Sequence, residues 1–114
     1  MIEVPRFQFE ALVAEAIDLL PPQLAAATDN VVVQIDDRHE SEPGLLGLYD
    51  GTPLTERGDG SFLLPDVIWI YRLALCEVCD DLEHLAEEVR VTVLHEFAHH
   101  FGIDDERLTE LGWD

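Results

Sequence analysis

The feature that most constrains this chain is a helical pattern that ends in a run of histidines. His95 and His99 lie four positions apart, and Glu96 lies between them. On an α-helix, positions four apart differ by about 40° around the axis and by roughly 6 Å along it, so both imidazoles share one face. Two imidazoles on one face can bind one divalent ion, with Zn–N bonds of roughly 2.0–2.1 Å. The spacing therefore predicts a metal site on a helix.

Further ligands and a base are expected close by. Glu96 lies on the same helix beside the predicted ion, where its carboxylate can take a proton from a water that the ion polarises. Two histidines are too few for a zinc site, so a third ligand must come from elsewhere. Gly102 is expected to end the helix and reverse the chain, which brings Asp104 or Asp105 back towards the ion. Either aspartate can instead cap the next helix, predicted over residues 106–111.

The surroundings of the motif favour a core helix. Asp80 or Asp81 can cap a long helix whose first half is amphipathic. Its second half is apolar on nearly every side, which predicts burial of the histidines and of Glu96. A buried charged glutamate is costly unless a cation compensates it. The alternative, a helix with two solvated histidines and a solvated glutamate, fits these surroundings poorly. The apolar residues are Val91, Val93, Leu94, Phe97, Ala98 and Phe101.

The chain is expected to form one small domain, residues 1–114. Besides the long helix that carries the histidines, the sequence predicts an N-terminal helix and three strands. The helix covers residues 6–20, and Pro21 and Pro22 end it. The remaining predicted elements are a short helical turn at 23–27, a turn at 28–30, strands at 31–35, 45–49 and 66–72, and a surface loop at 52–61.

The charge balance excludes several classes of partner. The chain has 25 acidic residues against 6 basic ones, all arginine, and a formal charge of −19. Such a field repels nucleic-acid phosphates and anionic membrane surfaces, and favours cations and basic peptides. Neither a signal peptide nor a membrane-spanning run is visible, so a cytoplasmic protein is expected.

Cys76 and Cys79 form an isolated C-x-x-C pair. A redox role would require a neighbouring βαβ unit, and a structural zinc site would require two more good ligands. His84 lies nearby, but it is a weak third ligand. Packing or incidental thiols are therefore favoured over a second metal site or a redox site.

The stretch His95-Glu96-x-x-His99-x-x-Gly102-x-x-Asp105 resembles the extended zinc motif of the metzincin branch of the zincin metallopeptidases. In that branch the third ligand falls ten residues after the first, where most members carry histidine and this chain carries Asp105. More closely, the chain is similar to a family of small bacterial zincin-like proteins described as minimal metallopeptidases. The segments that carry this similarity are residues 45–54, 65–66, 71–72 and 95–102.

The resemblance implies an α+β, minimal zincin-like fold, in which an N-terminal helix and the long active-site helix pack on a small mixed sheet. It implies Zn²⁺ bound by His95, His99 and Asp105, with Glu96 as general base. It also implies a peptide or unfolded protein substrate that lies along an edge strand, either 66–72 or 45–49. By residue type, the candidate donors to the tetrahedral intermediate are Tyr49, Tyr71, Arg57 and Arg72.

Two departures from the metzincin pattern bear on the substrate. Met1 is the only methionine, so the methionine turn beneath the metzincin site is not expected. The chain ends at Asp114, so the lower half of the usual substrate cleft is not expected either. Both departures favour short peptides over folded proteins.

Three functions compete. The leading one is a zinc-dependent peptidase, and the alternative is a metal-binding interaction module with weak or no turnover. The third is a metal-dependent ribonuclease, which the negative charge disfavours.

Overall fold

The computed structural model describes residues 1–25, 31–51 and 66–112. The turn predicted at 28–30 and the loop predicted at 52–61 lie outside these residues. The described elements are five helices and three strands. In chain order they are α1 (Arg6–Asp18), α2 (Pro22–Ala25), β1 (Val31–Asp36), β2 (Gly47–Asp50), β3 (Asp66–Tyr71), α3 (Arg72–Val78), α4 (Leu82–His100) and α5 (Asp105–Leu111).

The three strands form one mixed sheet in the order β1-β3-β2. β3 pairs in parallel with β1 and antiparallel with β2. Because side chains alternate between the two faces of a strand, Ile68 and Ile70 point to one face and Trp69 to the other. Ile68 and Ile70 are fully buried. The helices therefore pack on the face that carries these two isoleucines, which we call the inner face.

Helix α4 is the central helix of the fold. It packs on β2 and β3, and α1 packs along it. The first half of α4 buries one apolar stripe, whereas its second half is buried on several sides, which is the pattern expected for a helix between a sheet and another helix. The core residues that these elements share are Phe9, Val13, Ala16, Ile68, Ile70, Leu85, Val89, Val93, Phe97 and Ala98.

Both ends of α4 are capped as the sequence indicates. At its start, the carboxylate of Asp81 accepts a hydrogen bond from the backbone N–H of His84 at 2.8 Å. At its end, Gly102 has φ of 83°. The N–H of Ile103 donates to the carbonyl of Ala98, and the N–H of Gly102 donates to the carbonyl of His99, both at 2.9 Å. This pair of bonds is a Schellman motif, which reverses the chain after the helix.

The structure confirms the α+β class and the mixed sheet, and it corrects two predictions. The predicted strand 66–72 ends at Tyr71, and Arg72 begins α3, a helix that the sequence analysis missed. β3 also lies in the middle of the sheet, so its backbone is paired on both sides. A substrate therefore cannot add to the sheet along residues 66–72, which leaves the alternative at 45–49.

Among the described helices, none combines the length and the apolar character that crossing a bilayer requires.

Candidate metal and catalytic site

His95, Glu96 and His99 occupy the last two turns of α4, on the side of the helix that is partly exposed to solvent. The side chains of His95 and His99 are 32% and 33% exposed. The side chain of Glu96 is 12% exposed, so it is the more deeply placed of the three. The expected burial is therefore correct for Glu96, whereas the two imidazoles remain open to solvent on one side. The two rings lie 5.9 Å apart, centroid to centroid, and are inclined by 27°.

The chain reversal at Gly102 places Asp105 beside both histidines. The Oδ1 atom of Asp105 lies 3.2 Å from Nε2 of His99 and 3.6 Å from Nε2 of His95. Asp104 instead caps α5, because its carboxylate accepts a hydrogen bond from the N–H of Arg107 at 2.9 Å. The two aspartates thus have separate roles, and Asp105 is the one that faces the imidazoles.

Glu96 contacts the other nitrogen of His99. Its Oε1 atom lies 3.2 Å from Nδ1 of His99. A proton on Nδ1 donates to this carboxylate, which leaves Nε2 of the neutral ring as the lone-pair atom on the Asp105 side. The hydrogen bond that His99 donates to Glu96 raises the pKa of His99, and Asp105 adds to the effect. Glu96 and Asp105 therefore orient the imidazole of His99 and favour its protonated form as long as no cation is bound.

The donor atoms partly match a zinc site. With bonds of about 2.0–2.1 Å, neighbouring ligand atoms of a tetrahedral site lie about 3.3–3.4 Å apart. The two separations from Oδ1 of Asp105, 3.2 and 3.6 Å, bracket this value. In the described residues no three histidine, cysteine or carboxylate groups already enclose a position for an ion. The side chain of Asp105 is 80% exposed, however, and has room to adjust around one.

Strand β2 reaches the site through Gly47. A Cβ atom at Gly47 would lie 2.6 Å from Cγ2 of Thr92 and 3.4 Å from Cγ of Glu96. Residue 47 must therefore lack a side chain for β2 to approach α4 this closely. No local sequence pattern indicates this role of Gly47, which sets the distance between the strand and Glu96.

A buried hydrogen-bond network fixes the end of α4 to the sheet. Oδ2 of Asp66 lies 2.7 Å from Nδ1 of His100 and accepts a hydrogen bond from the hydroxyl of Tyr49 at 2.5 Å. Nε2 of His100 is buried without a partner among the described residues. Adjacent helix positions differ by about 100° around the axis, so His100 does not share the face of His99, and its ring hydrogen-bonds to Asp66 instead. Its partners were not predicted, because no sequence spacing connects residues 49, 66 and 100.

The four residues predicted as candidate donors to a tetrahedral intermediate have different surroundings in the structure. The hydroxyl of Tyr49 binds Asp66, and the guanidinium of Arg72 binds Asp37 and the carbonyl of Val4. Arg57 lies outside the described residues. The pKa of Tyr71 is raised, first by burial, then by the charges of Asp36 and Asp50, and least by the charge of Glu96. Tyr71 lies two residues after Trp69 in β3 and borders the face of the sheet opposite to the inner face, so the described geometry does not single out one of the four as a donor at Glu96.

The cysteine pair is part of the packing. Cys76 and Cys79 are free thiols and are 3% and 0% exposed. His84 lies at the start of α4, where its Nδ1 accepts a hydrogen bond from the N–H of Asp80. Within the described part of the chain, these groups do not form a metal-binding cluster. The structure thus supports packing as the role of both thiols.

Comparison with known proteins identifies the family of the chain. A family model of zincin-like metallopeptidases matches residues 28–113, which include His95, Glu96, His99 and Asp105. Among solved structures, a conserved hypothetical protein from T. thermophilus is similar, with a TM-score of 0.59 and 25% sequence identity. That alignment covers 96% of this chain and 100% of the other. No curated protein matches the chain. Since the family model covers most of its length, the chain belongs to the zincin-like metallopeptidase family.

Proposed function

We propose that this protein is a zinc-dependent peptidase in which His95, His99 and Asp105 hold the ion and Glu96 is the general base. The observation that carries the proposal is the approach of both Nε2 atoms to one oxygen of Asp105, with Glu96 alongside. Two imidazoles and one carboxylate are a ligand set found in catalytic zinc sites, which keep a further position open for water or substrate.

Bound zinc supplies a Lewis acid that polarises a carbonyl and makes water acidic enough to attack it near neutral pH. The residues of this chain then handle the proton. Glu96 takes it from the attacking water and delivers it to the nitrogen of the leaving amine. Contact with Nδ1 of His99 holds the carboxylate of Glu96 in place beside the site. Because Glu96 is mostly buried, its charge acts in a poorly screened environment.

We also propose that the substrate is a peptide in extended form beside the Gly47 end of β2. β2 pairs with β3 on one side, and no described strand covers its other side. Gly47 lies against Glu96, so a peptide at this edge would pass the base. Main-chain hydrogen bonds to a sheet edge supply affinity for such a peptide without a requirement for sequence. The charge of −19 supports a peptide over a nucleic acid.

The Glu96→Gln variant tests the proposal. It should keep its zinc and lose peptide hydrolysis by about 10²- to 10⁴-fold, because it removes the base and leaves the ligands. The measurement is cleavage of a peptide library, followed by mass spectrometry, with zinc content measured in parallel. Glu88→Gln, eight positions earlier on the same helix, is the matched control and should cleave like the parent.

Other outcomes point to different functions. Full turnover by Glu96→Gln would contradict the assigned mechanism. If the zinc-loaded parent binds peptides but does not cleave any, and Glu96→Gln binds them equally well, the protein is a metal-binding interaction module instead.

A further inference from the structure

A cleft of about 330 Å³ opens on the outer face of the sheet, next to the strand that borders the candidate site. The wall of the cleft includes Leu48 of β2 and Trp69 of β3. Leu48 follows Gly47, which lies against Glu96 on the inner face. The cleft and the candidate catalytic residue therefore lie on opposite sides of the same short strand.

The walls of the cleft are acidic. Asp36, Glu40 and Asp50 all line it. None of the three forms an ion pair with the residues that the structure describes, and Asp36 accepts one hydrogen bond, from the backbone N–H of Asp37. Arg38 also borders the cleft, but its guanidinium binds the carboxylate of Glu77 and the carbonyl of Pro43. The cleft thus carries uncompensated negative charge.

Two aromatic side chains also line the cleft. Tyr71 is 3% exposed and borders the cleft. Its hydroxyl makes no hydrogen bond to a described residue, but it keeps some contact with solvent. Burial, Asp36 and Asp50 raise the pKa of this phenol, which keeps it a neutral donor and acceptor. Trp69 adds an indole ring, the aromatic group that attracts cations most strongly.

We infer that this cleft is a subsite for a basic side chain, arginine or lysine, of the peptide substrate. The inference rests on the proposed peptidase function and adds a substrate class to it. A peptide beside β2 points alternate side chains to the two faces of the sheet. At the level of Gly47 a side chain faces α4, whereas at the level of Leu48 it faces the cleft. A guanidinium or ammonium group there meets the carboxylates and the ring of Trp69.

The first test measures binding alone and needs neither zinc nor turnover. N-acetyl-arginine methylamide is titrated into the Glu96→Gln protein, and the indole N–H resonance of Trp69 is followed by NMR, assigned with the help of Trp113→Phe. The citrulline analogue, which has nearly the same shape without the charge, is the control ligand. The arginine derivative should bind about fivefold to tenfold more tightly than the citrulline derivative, and added NaCl should reduce the difference.

Matched variants locate this binding. Asp36→Asn combined with Asp50→Asn should reduce the preference for arginine over citrulline and leave the binding of citrulline unchanged. Asp18→Asn, on the exposed end of α1, removes a carboxylate elsewhere and should preserve the preference. Equal binding of the two ligands by the parent protein, or an undiminished preference in the double variant, would overturn the inference.

The second test connects the cleft to the substrate. Peptides that differ by one arginine-to-citrulline exchange are compared as substrates of the zinc-loaded parent. The arginine peptide should have the higher kcat/KM, again by about fivefold to tenfold. If Trp69 responds to arginine but the two peptides are cleaved equally, the cleft is not a substrate subsite. If no peptide is cleaved while the cleft still selects arginine, the proposed function fails and the cation site stands.

Discussion

Gly47 shows how one residue sets the geometry of the candidate site. The ideal Cβ position at Gly47 lies 2.6 Å from Cγ2 of Thr92 and 3.2 Å from the carbonyl oxygen of Trp69. The carbonyl oxygen belongs to the backbone of β3, and the methyl group belongs to a buried, β-branched side chain of α4, so neither moves away freely. A side chain at position 47 would therefore push β2 away from the helix that carries Glu96.

We expect Gly47→Ala to lower the free energy of unfolding by about 1–3 kcal/mol, because the extra methyl group overpacks the contact between β2 and α4. Urea denaturation measures this. Thr92→Ser, which removes Cγ2, should restore part of the loss in the Gly47→Ala background. Gly44→Ala is the control, since a Cβ there meets nothing within 4 Å. Equal stability of Gly47→Ala and Gly44→Ala would contradict the assigned contact.

At the scale of elements, the network of Tyr49, Asp66 and His100 joins β2, β3 and α4. Tyr49→Phe removes a hydroxyl that donates to the buried carboxylate of Asp66. Because that carboxylate then loses a partner, the free energy of unfolding should fall by about 1–3 kcal/mol. Urea denaturation tests the change. A value within about 0.5 kcal/mol of the parent, the range of neutral surface changes, would show that the network does not stabilise the fold.

Two buried thiols, one in α3 and one directly after it, support a prediction about pH. Burial raises the pKa of the Cys76 thiol, and burial followed by the charge of Glu88 raises that of Cys79. A raised pKa in the folded state means that folding favours the protonated thiol. This contribution to stability is complete below about pH 8.5, the value for an exposed thiol, and is lost as the pH rises through the higher folded values.

Urea denaturation at several pH values between about 8 and 9.5 measures this loss. The parent should lose stability over this range more steeply than the Cys76→Ala, Cys79→Ala double variant, even though the variant starts from a lower value. Parallel slopes would show that the thiols are not responsible.

The elements differ in how much their sequence reveals. The glycine after α4 and the acidic caps of α4 and α5 identify helix ends, because each solves a local hydrogen-bonding problem. Helix α3 has no such signal. Tyr71 precedes it without a side-chain cap, and only Arg72 separates the apolar residues of β3 from those of the helix. Residue spacing alone cannot separate a strand from a helix there.

The residues of the candidate site also differ in how far the sequence alone predicts their positions. The placement of His95, Glu96 and His99 follows from helical periodicity within one element. Asp104 and Asp105 are adjacent and equally able to cap α5, so only the three-dimensional path of the reversal separates their roles. The contact of Gly47 with Glu96 and the bond between Asp66 and His100 join distant parts of the chain. Such contacts depend on strand order, which no local pattern reports.

At the scale of the molecule, one arrangement connects the proposals. Helix α4 carries the histidines and the base, β2 borders them through Gly47, and the acidic cleft opens on the far face of β2. The net charge of −19 repels polyanions. A short, basic peptide therefore fits the geometry and the charge together.

Metal analysis shows directly whether α4 and Asp105 hold zinc. Untagged protein is purified without chelator, incubated with Zn²⁺, dialysed, and analysed by mass spectrometry for metal content. We expect near-stoichiometric zinc in the parent and in His84→Ala, and little in His99→Ala. A parent protein without zinc, or a His99→Ala variant that retains it fully, would contradict a zinc site at these residues.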